Sequence, residues 1–502
     1  MVDTKREIER KYDAAAGATL PGLTAVRGVV AVVDKGVAEL DATYYDTADQ
    51  RLARAHLTLR RRTGGGDPGW HLKLPVADGV RDEIRAPLSD TVPRSLSALV
   101  RSRVRGAELL PVIRLRSARD VRHLVDADGD LLAEVSLDQV RAERLSGGTG
   151  TAEWTEIEVE LADGGDPAFL DRVDKKLRKA GLSRSSAPSK LARALQETAG
   201  PTRTAPVGAR TQPVTAGDHV LVYVRAQRDA IVELDPAVRR DVFDSVHAMR
   251  VATRRLRSTL RSYGKVLDRT ATGPIAGELK WLAGELGVDR DQEVLTEHLT
   301  TALSELPPSL VSGPVPDRLR TWSKARRGGS RRGLIAVLDS GRHLDLLDAL
   351  DTLVATPPLR KAAAGDPAKV IAEAVRDDYR KVAALIGRAL DLPPGHDRDV
   401  AIHEARKKAK RARYAAEAAV PALGGPAETM VRSMKSLQTL LGDHQDSVMA
   451  RGALCELAAQ AHAAGESAFT YGVLYGREEQ RAAATEAALA EAWRAVEAAT
   501  EL

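Results

Sequence analysis

The chain has 502 residues, 29% charged and 43% hydrophobic, a balance that fits a globular protein of two to four domains and excludes a disordered chain. Aromatics make up 3%, so the cores must be built from Leu, Val and Ala, and a surface that stacks many bases on rings is disfavoured. The formal charge is +5, the single Cys455 excludes an internal disulfide, and neither an apolar leader nor a membrane-length apolar run is present, so a cytoplasmic protein is expected.

The first 197 residues read as strands. After Glu7-Ile8-Glu9-Arg10-Lys11-Tyr12 come Leu40–Tyr45, Leu57–Arg62, Trp70–Leu74, Arg81–Ala86, Val112–Arg116, Leu131–Leu137 and Trp154–Leu161, several with period-two alternation and separated by turn residues. Eight strands in so short a span predict an antiparallel barrel or sandwich. Asp166–Gly181 and Ser189–Thr198 read as helices bracing it.

The alternation sorts charge by strand. Side chains at i, i+2 and i+4 project to one face, so Glu7, Glu9 and Lys11 share a face, as do Arg60 and Arg62, His71 and Lys73, and Glu156, Glu158 and Glu160. For any one strand, a sheet with one wet face explains this. Solubilising surfaces, however, mix the signs along each strand. Turned into a closed barrel, this pattern sets an acidic cluster beside a basic one. The carboxylates suit a hard cation such as Mg²⁺ or Mn²⁺, and the Arg and Lys side chains suit a chain of phosphates.

EIERK at 7–11, YYDTAD at 44–49, LRRR at 59–62, HLKLP at 71–75, EIEVEL at 156–161 and SKLARAL at 189–195 resemble, in order, the CYTH (triphosphate tunnel) family. The resemblance implies an eight-stranded tunnel barrel that hydrolyses or cyclises triphosphate compounds with a divalent metal. It implies Glu7, Glu9, Asp138, Glu156 and Glu158 as metal ligands, with Glu7, Glu9 and Lys11 in the catalytic group. Lys11, Arg60, Arg62, Lys73, Arg119 and Lys190 would clamp phosphates. No base-reading set accompanies them, so a linear triphosphate is the expected substrate. The bland reading is a salt-bridge lattice in an inert barrel.

Ala199–Asp218 is rich in Pro, Gly, Thr and Ala and reads as a linker, with domains expected at 1–197 and 218–495 around a joint at 198–217. Beyond it the period is helical. In Val246–Tyr263, His247, Arg250, Arg254, Arg257 and Arg261 fall on one face, with Val246, Met249, Leu256 and Leu260 on a neighbouring apolar stripe. His403, Arg406, Lys410 and Arg413 repeat the spacing 156 residues later, and Leu286-Gly287 returns as Leu441-Gly442 after 155. The expected architecture is therefore α+β and multidomain, ending in an all-α bundle with an internal two-fold repeat, about 218–355 and 368–495. Each repeat is expected to run from a basic helix to a helix that ends in Leu-Gly.

VHAMRVATRRLRS and IHEARKKAKRARY, each followed by its Leu-Gly segment, resemble the CHAD domain. The resemblance implies inorganic polyphosphate as partner and association with polyphosphate granules. His247, Arg250, Arg254, Arg257, His403, Arg406, Lys410, Arg413 and His444 are the expected contacts, with Lys280, Lys408, Arg411 and Lys435 as extensions. The copies differ where His444 replaces Asp289. The sequence thus predicts a metal-dependent triphosphatase with a polyphosphate-binding domain. The alternative is a non-catalytic polyphosphate-binding or targeting protein, and nucleic acid is disfavoured.

Overall fold

The computed structural model describes residues 3–199, 212–327 and 330–500. The chain divides into two compact units, residues 1–208 and 209–502, so most of the expected linker, 200–211, lies outside the described residues.

In the first unit, β1 (Asp3–Ala14), β2 (Ala31–Asp46), β3 (Thr58–Thr63), β4 (Gly69–Ala77), β5 (Val80–Ala86), β6 (Leu110–Val125), β7 (Leu131–Arg144) and β8 (Thr151–Leu161) form an antiparallel sheet in the order β5-β4-β3-β2-β6-β7-β8-β1. The sheet closes because β1 pairs twice: Asp3–Ile8 runs against β5, and Glu9–Ala14 against β8. A two-residue β9 (Ser183–Arg184) adds to the end of β1. All eight expected strands form, and β2, β6 and β7 extend well beyond the expected limits. Ala31–Glu39 lies mostly exposed, so its hydrophobicity gives no signal, and it is a strand because β6 satisfies its backbone.

The barrel is apolar outside, and its interior is part charged and part apolar. Tyr12, Leu137, Ile157 and Val159 turn outward onto Phe169, Leu170, Val173 and Leu177 of the amphipathic helix α3 (Ala168–Lys179). Leu59, Trp70, Leu72 and Ile84 pack beneath α1 (Arg51–Arg54) and α2 (Arg94–Val104). Ala42, Tyr44, Val140 and Trp154 instead share the inward face with Arg60, Asp138 and Glu156, and they form an inner core closed by α4 (Lys190–Glu197), which is capped by Ser189 accepting from the Ala192 amide. With the apolar half of each strand committed to the helices, the period of two forces the other half inward.

The second unit comprises α5 (Ala216–Arg239), α6 (Ser245–Ser262), α7 (Arg269–Glu285), α8 (Val288–Ser304), α9 (Val315–Arg327), α10 (Ser330–Asp339), α11 (Gly341–Ala355), α12 (Pro367–Asp391), α13 (His396–Leu423), α14 (Gly425–Ala463) and α15 (Phe469–Ala499). Thr215 and Asp218 form a capping box that starts α5 inside the predicted linker segment, and Asp366 caps α12 with Pro367 in its first turn. Met249, Leu256 and Leu260 of α6 share a core with Ala405, Ala409, Ala412 and Ala416 of α13, whose small side chains let that helix approach closely. The Tyr263 hydroxyl donates to the Ala415 carbonyl at 2.7 Å and ties the two repeats together. A separate core joins α8, α9, α14 and α15.

The repeats part company at Leu-Gly. The first copy breaks between α7 and α8, whereas α14 continues through Leu441-Gly442, where Leu441, Gly442 and His444 are buried. No helix among the described residues is long and apolar enough to cross a membrane.

Gly64, in the β3–β4 turn, has φ +79°, and an added Cβ would collide with the Glu39 carbonyl oxygen of β2. Gly64→Ala should therefore lower the stability of the barrel unit by about 2–3 kcal/mol. Urea unfolding followed by tryptophan fluorescence checks this; an unchanged midpoint would refute it.

Candidate functional site

The inward faces of the strands enclose a cavity of about 400 Å³ lined by Glu7, Glu9, Lys11, Arg60, Arg62, Lys73, Arg119, Glu158 and Lys190, among others. Glu9 faces Glu160 across the β1–β8 ladder and Lys11 faces Glu158, so the opening motif and the closing acidic strand are direct neighbours.

Nearly every interior charge has a counter-charge. Lys73 reaches Glu7 at 2.5 Å, Lys11 reaches Glu9 at 3.2 Å and also pairs with Glu158, and Arg119 grips Asp138 through two bonds of 2.7 Å and Glu158 at 2.8 Å. Removing such groups from water costs several kcal/mol each, and mutual pairing is what offsets that cost. Burial pushes the Glu7 carboxyl up, and Lys73 only partly offsets it. Burial also opposes ionisation of Glu9, Asp138 and Glu158, but Lys11 at Glu9 and Glu158, Lys190 at Asp138 and Glu158, and Arg119 at both of the latter outweigh it and hold all three low. Burial, with Arg60 and Arg119 as neighbours, pulls Arg62 down to about 9, which marks a place where cations crowd beyond their counter-charge.

The candidate metal ligands fall into two sets. Ligand oxygens of Asp138, Glu156 and Glu158 all lie within 4.8 Å of one another. The Lys190 ammonium stands among them at 2.9, 2.6 and 2.7 Å, and the three carboxylates drive its pKa up against burial. A buried, oxygen-only trio already converging on a cation fits a hard divalent ion. Glu7 and Glu9 stand with Lys73 and Lys11 instead, and Lys11 links the two sets.

Three participants carried no sequence motif. Glu83 is fully buried and takes His71 Nδ1 at 3.0 Å, Arg85 at 2.6 Å, Arg60 at 3.4 Å and Lys73 at 3.7 Å. Burial, with Arg60 nearby, brings His71 down to about 4 despite Glu83, so it is neutral at pH 7. Arg81 lies 3.9 Å from Glu9, and the buried Tyr44 hydroxyl accepts from Arg60 at 3.4 Å. Arg81, Glu83 and Arg85 alternate along β5, the same i, i+2 signal seen in the other strands.

On α6 and α13 part of the basic face has no counter-charge among the described residues. Among the described residues no ion pair joins Arg254, Arg257, Arg406 or Lys410 to a carboxylate, although Arg250 is bound twice by Asp291, at 2.8 and 2.9 Å. Burial and then Arg254, Arg406 and Arg250 bring Lys410 down to about 7. Burial and the fields of Arg250 and Arg406 likewise lower Arg254. Cations of α6 and α13 therefore feel one another, and the two repeats present one cluster. Arg413 leans on the Tyr414 ring at 4.8 Å and lies 3.6 Å from Glu417.

Not all the expected contacts join this cluster. His247 is exposed, and His403 bonds Gln445. His444 is buried with Nε2 3.2 Å from Asp399 and 3.3 Å from Glu486, so it faces carboxylates rather than the cation face. The side chain of Asp289, its counterpart, lies outside the described residues. Arg411 turns inward to Asp378 and Ser262. Lys280 instead lines a pocket of about 340 Å³ with Arg257, Arg261 and Arg269.

The CYTH domain family model matches residues 5–195, and the CHAD domain family model matches residues 222–455. An uncharacterized protein of Mycobacterium tuberculosis strain H37Rv is 40% identical over 488 residues, covering 94% of this chain and 92% of that one, and a protein of strain CDC 1551 matches to the same extent. The chain belongs to the family in which a CYTH domain precedes a CHAD domain. The first half is thereby placed in a family of metal-dependent triphosphatases and cyclases, and the second among polyphosphate-associated domains. Among solved structures the chain is similar to PptA from Streptomyces chartreusis, at 22% identity and TM-score 0.48 over 56% of this chain and 100% of that one. It is also similar to the CHAD domain of the plant Ricinus communis, at 21% identity and TM-score 0.44 over 60% and 99%.

Lys190→Met leaves three buried carboxylates without their shared cation. The variant should lose about 3–5 kcal/mol at pH 7, and added Mn²⁺ should raise its melting temperature more than that of the parent. Equal melting temperatures without metal would contradict the neutralising role of Lys190.

Proposed function

We propose that the barrel hydrolyses the terminal phosphoanhydride of inorganic triphosphate or a related linear triphosphate, and that the helical unit binds inorganic polyphosphate. The observation that carries the first part is the buried oxygen trio of Asp138, Glu156 and Glu158 beside the crowded cations Arg60, Arg62 and Arg119. A Mg²⁺ or Mn²⁺ ion held by that trio would neutralise phosphate charge and polarise the phosphoryl oxygens. Arg60, Arg62, Lys73 and Arg119 hold equatorial oxygens in a transition state whose demands are mainly electrostatic. Lys11, flanked by Glu9 and Glu158, steadies the carboxylate group around the attacking water. Glu7, whose carboxyl burial makes more basic, accepts the proton as water adds to phosphorus and the bridging P–O bond breaks.

The second reading, a polyphosphate-binding protein with an inert barrel, is favoured by one observation: the interior ion pairs are already nearly complete without substrate. One assay separates the two. Phosphate release should require Mg²⁺ or Mn²⁺ and fall at least about 100-fold in Glu7→Gln, with tripolyphosphate preferred over nucleoside and thiamine triphosphates. No metal-dependent turnover, or turnover unchanged in Glu7→Gln, would sink the enzyme reading.

Lys410 makes polyphosphate binding depend on pH. Its depressed pKa, about 7, leaves it neutral in the free protein above that pH and charged below it. A bound polyanion favours the charged form, so above neutrality binding must first take up a proton. Affinity should therefore fall as pH rises from 6 to 8.5, and Lys410→Arg should flatten the dependence, as read by titration calorimetry at constant ionic strength. An equal slope in both proteins would exclude Lys410.

A further inference from the structure

The repeated Leu-Gly pair has no part in the function described so far, yet both glycines lie against arginines of the cation cluster. Gly287 has φ −94° and ψ −20°, a right-handed conformation open to any L-residue, so its backbone does not require glycine. Space does. A Cβ on Gly287 would lie 2.7 Å from Nη2, 2.9 Å from Cζ and 3.0 Å from Nε of Arg250, which places the guanidinium over the bare Cα. Gly442 lies inside α14, where glycine is disfavoured relative to alanine. Its Cβ would meet the same three atoms of the repeat-related arginine, Nη2, Nε and Cζ of Arg406, at 3.5, 3.8 and 4.0 Å.

We propose that Gly287 and Gly442 are positioning residues for the anion-binding face, each a seat on which the arginine of its own repeat lies. The inference rests on the polyphosphate reading above. The two seats differ in tightness. At Gly287 a methyl group would lie too close to the guanidinium, which must shift against its two hydrogen bonds to Asp291, whereas at Gly442 it reaches ordinary van der Waals distance. The first arginine is thus clamped between glycine and carboxylate. The second has no carboxylate partner among the described residues, and its buried Nε has no hydrogen bond.

The test is binding of long-chain inorganic polyphosphate to the full chain across a salt series. Gly287→Ala should weaken binding about tenfold, as losing one charge-assisted contact does, and reduce the salt slope by about one. Gly442→Ala should stay within about twofold of the parent. In an Arg250→Ala background, Gly287→Ala should add nothing, because the seat then has no occupant. Parent-like binding by Gly287→Ala, or additive losses in the double variant, would overturn the proposal. A parent protein that retains no polyphosphate would instead overturn the polyphosphate reading. The seat itself is read independently in a crystal structure of Gly287→Ala: the guanidinium should have left Asp291, and an unmoved guanidinium refutes the seat whatever the binding result.

Discussion

Burying charge inside a barrel is the constraint on which the first unit depends. A carboxylate taken out of water must find a cation, and here strand alternation delivers both signs to one cavity. Helices α1 to α3 make this workable by covering the outside of the wall with two hydrophobic cores, while α4 closes a third core against the inward faces of the strands. The apolar cores supply the folding energy, and the charged stretch of the interior is free to be chemical. Lys190 shows how closely the two are linked: it is the first residue of α4, whose Leu191 and Ala194 pack in the inner apolar core while its own ammonium neutralises the neighbouring trio.

The helical unit handles charge in the opposite way. Its core is built from Leu and Ala, and its cations collect on α6 and α13 with few carboxylates to answer them. Like charges this close are unfavourable, and the molecule tolerates them because the helices are fixed by other contacts, such as Tyr263 to Ala415 and Arg255 to Glu417 at 2.7 Å. Repulsion held in place this way is a standing affinity for any ligand that brings negative charge at short, regular spacing. It favours many exchangeable contacts over one deep pocket.

Much of this was legible in the sequence, because alternation and helical spacing are geometric statements. Glu7, Glu9 and Lys11 fall on one face of any strand, and Arg250, Arg254 and Arg257 on one face of any helix. The full lengths of β2 and β6 were not legible, since their outer parts are held by ladder hydrogen bonds rather than by burial. Glu83 escaped notice because one carboxylate among charged neighbours looks like a solvated edge until the barrel closes around it. His444 misled for the converse reason. It stands beside a repeated motif, but the continuous helix α14 carries it to Asp399 and Glu486, a partnership set by three helices that no local pattern records.

The ion-pair lattice in the tunnel also constrains how a substrate enters. A triphosphate cannot simply be added to a cavity whose cations are already engaged, because it would meet the carboxylates as well. On the triphosphatase reading, a divalent ion held by the trio would stand where the Lys190 ammonium now does, freeing that ammonium for phosphate, and phosphate oxygens would compete with Glu7 for Lys73 and with Glu83 for Arg60. Each cation would keep an anion in these exchanges, while Glu7 would be left without Lys73 and so be readier to take up a proton. On that reading metal and phosphate would be coupled by charge balance: either alone would disturb the lattice, and together they would replace it.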